Sequence, residues 1–505
     1  MTRQTPATPR RPCYGNLLCA AWLAGACLCA STAHAHGFGQ RYDLPVPLWL
    51  YLTSAGAAVA VSFVVTAFFI RGRPRQTIHP RFNLLQWPMA RAIAHPTVLA
   101  ACRTLAMMLF VVVLVAGVWG NQTPVKNIAP LMVWAIWWVG MAYISALVGD
   151  LWKLINPLNT AYAWVESTYF RVSGGASLSR YAPYPQWLGK WPAVVLLFAF
   201  AWSELIWERS DVPANVATAA LLYCAITWSG MFVYGRDTWL RHGDAFSLVF
   251  SLLARFAPLE ARDSAAGPEL NLRPYAVGLL TDEPVEPSTL ALVTLMLATV
   301  SFDGFMETPP WASVAESLGD WLSPPPVAFS ADAVHAIANT LGLLAAWMLF
   351  SLVYFACAWS IARTTSGGEK ESRTRRTAGL FVLTLVPIAI AYHLAHYLSF
   401  LLMACQYLIP LISDPFGFGW DLFGTTLYIV KIGVVDAQFI WYASVTAIVA
   451  GHICAVYLAH VTAMRVYPDQ RAALRSQYPL LLLMIGYTMV SLWIIAQPIV
   501  SSRFG

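Results

Sequence analysis

Ten apolar runs, each long enough to cross the roughly 30 Å hydrocarbon layer of a bilayer as a helix, occupy most of this chain. Of its 505 residues, 58% are hydrophobic and only 11% are charged, so lipid and not water is the solvent that this composition suits. The sequence therefore predicts an all-α, polytopic membrane bundle of about ten transmembrane helices that follow a signal peptide. The predicted spans cover residues 47–70, 98–119, 130–149, 191–207, 216–234, 289–305, 334–362, 378–403, 438–463 and 478–499.

Basic residues are concentrated in every second connection between these runs. The positive-inside rule places such connections in the cytoplasm, which predicts a multi-pass protein of the bacterial inner membrane with both mature termini in the periplasm. This distribution also accounts for the net charge of +6, so no nucleic-acid partner is expected. The connections on the predicted periplasmic side hold only Arg41, Lys126, Arg209, Lys431 and Arg503.

The first 35 residues have the pattern of a secretory signal: early arginines, an apolar stretch, and the A-x-A site Ala33-His34-Ala35. An uncleaved anchor is the alternative. Cleavage after Ala35 would leave His36 at the amino terminus, where its free amine and its ring nitrogen can chelate one cation, an arrangement that suits copper.

The remaining chain is predicted to have three parts. Residues 36–362 form the first seven spans with interfacial cytoplasmic segments, residues 363–377 form a cytoplasmic linker, and residues 378–505 form the last three spans. A tandem repeat is predicted within the first part, because Trp138-Val139-Gly140-Met141 and Asp150-Leu151-Trp152 are echoed by Trp228-Ser229-Gly230-Met231 and Asp237-Thr238-Trp239. Each copy continues into a half-apolar segment, 158–170 and 245–258, that is predicted to lie in the membrane interface.

Two histidines, His393 and His396, fall inside the eighth apolar run, in the segment Tyr392-His393-Leu394-Ala395-His396-Tyr397. Polar side chains in a membrane span are costly and need partners. At a spacing of three residues the rings lie about 4.5 Å apart along the helix axis, close enough to share one ligand. The alternatives are two interhelical hydrogen bonds, or a metal-binding or catalytic pair.

Further carboxylates and imidazoles gather near the predicted periplasmic ends of other spans. Asp303, wrapped in apolar side chains, and Asp436 are the predicted catalytic carboxylates. Carboxylate and imidazole together form a donor set for a divalent transition metal, copper or zinc. The predicted metal ligands are His36, His335, His393, His396 and His452. His460, about 12 Å along the same helix from His452, is expected to serve helix packing.

Several segments along the mature chain carry a family resemblance. They are His36-Gly37-Phe38-Gly39-Gln40-Arg41-Tyr42-Asp43-Leu44-Pro45-Val46-Pro47-Leu48-Trp49-Leu50, Gly120-Asn121-Gln122-Thr123-Pro124, Ser301-Phe302-Asp303-Gly304-Phe305, Ala395-His396-Tyr397, Gly419-Trp420-Asp421-Leu422-Phe423-Gly424 and Gly451-His452. In these segments the chain resembles bacterial membrane proteins catalogued as fenitrothion hydrolases. The resemblance implies a membrane-bound hydrolase of aryl phosphorothioate triesters, with an apolar small-molecule substrate and with other subunits of a membrane complex as partners.

The residues themselves leave the function open. A metal held by histidines and a carboxylate would lower the pKa of its bound water and polarise a phosphoryl group, as such a hydrolase needs. The alternative is a membrane transporter or metal-handling protein similar in plan to bacterial copper-resistance proteins, since His393, His396, His452 and His460 step down through the membrane. A non-catalytic subunit of a membrane enzyme is the third alternative.

Overall fold

The computed structural model describes residues 34–37, 40–69, 79–265, 267–281, 284–322, 329–363, 370–431, 435–467 and 469–497. Within them, ten helices are long and apolar enough to cross a membrane, which confirms the all-α bundle and the multi-pass membrane protein expected from the sequence. The helices that carry these spans are α1 Leu48–Phe69, α3 Pro96–Trp119, α4 Ile128–Leu147, α7 Trp191–Leu205, α8 Pro213–Tyr234, α11 Pro287–Met306, α13 Ala331–Ala362, α15 Val386–Ser413, α16 Ala437–Val466 and α17 Gln470–Ile495.

Shorter elements connect the spans. The helices among them are α2 Pro88–Ile93, α5 Leu151–Ile155, α6 Pro157–Val172, α9 Arg236–His242, α10 Ala245–Ala254, α12 Pro309–Leu322 and α14 Lys370–Phe381. The strands are β1 His34–Gly37, β2 Gln40–Asp43, β3 Phe82–Asn83, β4 Leu259–Ser264 and β5 Gly267–Leu272. β1 pairs antiparallel with β2, and the second sheet has the antiparallel order β3-β5-β4.

Two spans form the centre of the bundle. In its most apolar stretch, the span over Arg373–Ser413 has 89% of its residues buried and α11 has 72%, whereas α3 has only 6%. Helices α15 and α16 pack closely at Gly451, where an added Cβ would lie 2.3 Å from Ala391 Cβ and 2.7 Å from Pro387 O. The histidines of α15 therefore lie in the core, while α3 is left for lipid.

The connections meet in two groups at the two ends of the bundle. At one end, which we call the basic face, Arg81 forms a salt bridge with Glu260 at 2.9 Å, and the N–H of Leu259 donates to Val148 O. At the other end, which we call the opposite face, the N–H of Asn121 donates to Phe416 O at 2.7 Å. The grouping follows the alternation of basic and weakly charged connections that the sequence shows.

The two copies of the predicted repeat contain the same order of elements. Each has a span, a short helix with a buried tryptophan, Trp152 in α5 and Trp239 in α9, and then a capped helix. Asn156 caps α6 and Asp244 caps α10. The starts of the two helices lie side by side, because Asn156 Nδ2 is 3.4 Å from the Oγ of Ser247 in the first turn of α10. The copies differ in burial, since α6 exposes Trp164 whereas α10 is almost wholly buried.

The structure shows how two of the predicted connections are folded. The half-apolar segment 245–258 does not lie on the surface of the protein, because α10 packs inside the bundle, with Phe246 ring to ring against Phe200 at 4.9 Å. The predicted linker 363–377 is helical from Lys370 onward, since α14 begins there and continues into the eighth span. Residues 364–369 of that linker lie outside the described residues, as do residues 1–33 of the predicted signal peptide.

Candidate functional site

Asp303 and His396 form the centre of the candidate site. Asp303 lies in the last turn of α11, and its Oδ2 is 3.0 Å from His396 Nε2 on α15. The hydroxyl of Tyr397 donates to the same oxygen at 2.5 Å. The carboxylate and the imidazole are only 13% and 19% exposed, so the pair is largely shielded from solvent and its electrostatic interactions are strong.

Helical spacing divides the four polar side chains of α15 into two columns. Tyr392 lies one turn from His396, and His393 lies one turn from Tyr397. The ring of Tyr397 contacts both imidazoles, with centroids 4.7 Å from His393 and 4.8 Å from His396. The two histidines, which the sequence predicted as a pair, therefore have different surroundings: His396 binds Asp303, whereas His393 faces another space.

That space is a cavity of about 40 Å³ between α4, α7, α10, α11 and α15. Its polar lining comes from Glu204, His393 and Tyr397, and most of the remaining wall is apolar. His393 Nε2 is buried and has no hydrogen-bond partner. The cavity is large enough for a water molecule, and its polar groups are of the kind that hold one.

Further polar groups extend from Asp303 toward the middle of the bundle. Ser301, on the same helix, has its Oγ 2.5 Å from the hydroxyl of Tyr487 on α17. The ring of Tyr487 lies edge to face with His452 of α16, at a centroid distance of 5.6 Å. His452 is 1% exposed; its Nδ1 lies 2.8 Å from Ile448 O, and its Nε2 is buried without a partner.

Tyr392 and His460 complete the series. The hydroxyl of Tyr392 is buried without a partner beside Gly304, where an added Cβ would lie 2.9 Å from that hydroxyl and 3.5 Å from His396 Nδ1. Two turns beyond His452, His460 Nδ1 lies 3.0 Å from Gln477 Oε1 of α17. We call the series Asp303, His396, Tyr397, His393, Tyr392, Ser301, Tyr487, His452 and His460 the polar file. It follows α11, α15, α16 and α17 through the core of the bundle.

The other predicted site residues lie apart from this cluster or outside what the structure describes. Asp436 caps α16, where its carboxylate accepts the N–H of Gln438 at 3.1 Å. Asp436 lies two helical turns, about 12 Å along α16, from Ser444, whose hydroxyl donates to the carbonyl oxygen of Ala395 next to His396. His335 is exposed in the first turns of α13. The side chain of His36 lies outside the described residues, although its backbone belongs to β1.

Sequence reasoning missed the hydroxyl groups. The sequence places Tyr397 beside the histidine pair and Ser301 beside Asp303, but it assigns no role to either residue or to Tyr487. A signal existed for Tyr397, because a tyrosine four residues after His393 shares its helical face. For Tyr487 no local signal exists, since its position depends on how α17 packs against α11.

The described residues contain no group of three or more His, Cys, Asp and Glu side chains arranged to hold a metal ion. The predicted metal ligands His393, His396, His335 and His452 are thus not assembled into one donor set. The donors that do meet, Asp303 with His396 and Tyr397, form an acid–base cluster that can accept, hold and pass a proton.

No family model, no curated protein and no solved structure matches this chain.

Proposed function

We propose that this protein moves cations, in the simplest case protons, across the membrane along the polar file. The observation that carries the proposal is a pair of buried ring nitrogens, His393 Nε2 and His452 Nε2, that have no hydrogen-bond partner within the protein. A buried unsatisfied polar group costs about 1–3 kcal/mol, so such groups inside a membrane protein require a reason. A water molecule, a proton or a metal ion that moves along the file would give these nitrogens the partner that they lack.

The surroundings of the file support this proposal. Asp303 and His396 lie near the end of α11 that leads to the opposite face, and they form the outermost step. His452 lies at the middle of α16, and His460 lies two turns further toward the basic face. A cavity of about 40 Å³ beside His393 has room for a water molecule.

Reconstitution into sealed vesicles tests the proposal. Purified protein in liposomes holding a pH-sensitive dye should acidify the lumen faster than protein-free liposomes when a pH gradient is imposed, and Asp303→Asn should reduce this rate. Asn keeps the shape of the carboxylate but cannot take up the proton. Parallel arms with Cu⁺ and Zn²⁺ and a metal-sensitive dye identify the cation. Wild-type liposomes no faster than empty ones in all three arms would overturn the proposal.

Hydrolysis of an aryl phosphotriester is the second candidate. It is favoured by the hydrogen-bonded Asp303–His396 pair, because a carboxylate that orients an imidazole is the arrangement of a general base. The resemblance to fenitrothion hydrolases supports it as well, and with it other subunits in a membrane complex. The adjoining cavity counts against it: about 40 Å³ is far below the 300–1,000 Å³ of sites for drug-sized molecules, so the helices would have to separate.

The two candidates differ in what His396→Gln and His460→Gln should do. A general base predicts that His396→Gln removes on the order of a hundredfold of chromogenic phosphotriester turnover by membranes, and that His460→Gln leaves turnover unchanged. A cation path predicts that both substitutions slow flux. In the hydrolytic candidate, Asp303 and His396 would act as the acid–base pair.

A further inference from the structure

A second cavity, of about 560 Å³, opens at the opposite face, away from the polar file. It lies between the end of α15, the segment 414–431 and the segment that precedes α4. Its volume falls in the range of about 300–1,000 Å³ that small-molecule sites occupy. Three aromatic side chains, Tyr407, Trp420 and Tyr428, line it together with Lys126 and Asp414.

The walls of this cavity are held by hydrogen bonds and so are formed in advance of any ligand. Gln406 fixes one side, because its Oε1 accepts the N–H of Lys431 at 3.0 Å and its Nε2 donates to Lys431 O at 3.1 Å. On the other side the N–H of Ile128 donates to Pro415 O at 3.1 Å. Gly417 has φ +68°, and an added Cβ would lie 2.4 Å from Lys126 O, so this wall accepts no larger residue.

The lining holds one charge of each sign, Lys126 and Asp414. The carboxylate of Asp414 is occupied by its own loop, since it accepts the N–H of Phe418 at 2.9 Å and that of Gly419 at 2.6 Å. Lys126 forms no salt bridge with any carboxylate in the described part of the chain. The ammonium group of Lys126 is therefore the charge in this cavity that a ligand can neutralise.

The rim of the cavity is apolar. Leu422 and Phe423 are 61% and 66% exposed, and Leu427 and Ile429 are 91% and 81% exposed. Exposed apolar side chains at the end of a membrane bundle suit the lipid interface, where amphipathic molecules collect. A ligand that partitions into the membrane would reach the cavity across this rim.

We propose that this cavity binds a small amphipathic anion, whose apolar or aromatic body lies against Tyr407, Trp420 and Tyr428 and whose anionic group contacts Lys126. The site is separate from the cation path, because Tyr407 lies eleven residues beyond His396 on α15, about 16 Å along the helix. Both a free aromatic acid and an anionic lipid combine an apolar body with an anionic group.

Photoaffinity labelling tests the proposal. The whole protein in nanodiscs of zwitterionic lipid is irradiated with an aryl diazirine that carries a carboxylate, and labelled peptides are mapped by mass spectrometry. Labelling is expected to concentrate on the peptides that hold Tyr407 and Trp420. Lys126→Gln should reduce it by about fivefold or more, the effect of losing one charge-assisted contact. The methyl ester of the probe should label wild type and Lys126→Gln equally.

Lys431→Gln is the matched control, since Lys431 ends the segment 414–431 that forms one wall but its side chain does not line the cavity. Labelling of this variant should equal that of wild type. Displacement of the probe by phosphatidylglycerol but not by a free aryl carboxylate would identify the ligand as a lipid, and the reverse would identify an aromatic acid. Labelling spread evenly over the spans, or unaffected by Lys126→Gln, would overturn the proposal, whatever the outcome of the cation-flux assay.

Discussion

At the scale of single residues, the two histidines of α16 differ in how their ring nitrogens are hydrogen-bonded. A histidine that serves only packing would have both ring nitrogens hydrogen-bonded. In His460, Nδ1 is bonded to Gln477 Oε1. His452 instead satisfies Nδ1 within its own helix and buries Nε2 without a partner. Under the proposed function, water or a cation that reaches Nε2 would supply the partner that the protein does not.

We expect His452→Leu to leave the protein as stable as wild type, because the loss of one hydrogen bond, about 1 kcal/mol, is offset by removal of the unsatisfied nitrogen. Cation flux should fall at least about tenfold, since the file then has an apolar gap that costs more than about 1.4 kcal/mol to cross. Melting temperature and vesicle flux measure the two effects. His335→Leu, at an exposed position, is the control and should change neither. Unchanged flux in His452→Leu contradicts the prediction.

Individual site residues were partly predictable. Asp303 and the histidine pair stood out because charged and imidazole groups are rare in apolar runs. Their division into two environments did not follow from the sequence, because it depends on the ring of Tyr397 between the imidazoles and on α11 beside only one of them. Asp436 was chosen by its position at a helix end, where capping is the commoner role, and it caps α16.

At the scale of elements, glycine sets how closely the helices of the polar file approach each other. Gly451, next to His452, allows the backbone of α16 to lie against α15. This contact fixes the side chains of both helices relative to one another. Small residues have this use in membrane proteins generally, where packing and not the hydrophobic effect holds helices together.

Gly451→Ala should therefore destabilise the protein by about 1–3 kcal/mol, because the new methyl group overlaps Ala391 Cβ and Pro387 O and forces α15 and α16 apart. Gly486→Ala on α17 is the matched control, since nothing lies within 4 Å of its added Cβ. Thermal unfolding in detergent measures both variants. Equal melting temperatures for the two would show that the close approach at Gly451 is absent.

The spans were predictable because lipid imposes one length and one composition on them. Burial within the bundle was not, and α10 shows why: its ten residues, all apolar except two serines, are as compatible with the interface as with the core. Contacts with Phe200 and Tyr223 from distant helices decide its place. The predicted linker includes the start of α14, because the mixed charges of this segment do not by themselves indicate a helix.

At the scale of the whole molecule, the two faces differ in charge, and this asymmetry determines orientation. The connections of the basic face carry most of the arginines and lysines. We expect a reporter fused after Gly367 to be cytoplasmic and one fused after Gly505 to be periplasmic. Activity of a periplasm-specific and a cytoplasm-specific reporter at each position measures this. The same compartment for both positions would contradict the ten-span topology.

The amino terminus offers a second prediction at this scale. We expect mass spectrometry of protein purified from membranes to find His36 first, because Ala33 and Ala35 are the small residues that signal peptidase requires. Ala35→Phe should block processing and leave the longer chain, whereas Ala30→Phe, outside the cleavage motif, should not. An intact amino terminus in the wild-type protein would remove the chelating amine proposed for His36.

His452 lies at the midpoint of α16, so a cation that binds there under the proposed function would lie about halfway across the membrane potential. A full elementary charge crossing the bilayer at 100 mV changes in energy by about 2.3 kcal/mol, and a charge that stops halfway experiences about half of that. At roughly 1.2 kcal/mol, the occupancy of a site at this depth shifts about sevenfold. A cation on His452 would therefore report the membrane potential as well as its concentration outside, so that energised and de-energised cells would hold this protein in different charge states at the same pH.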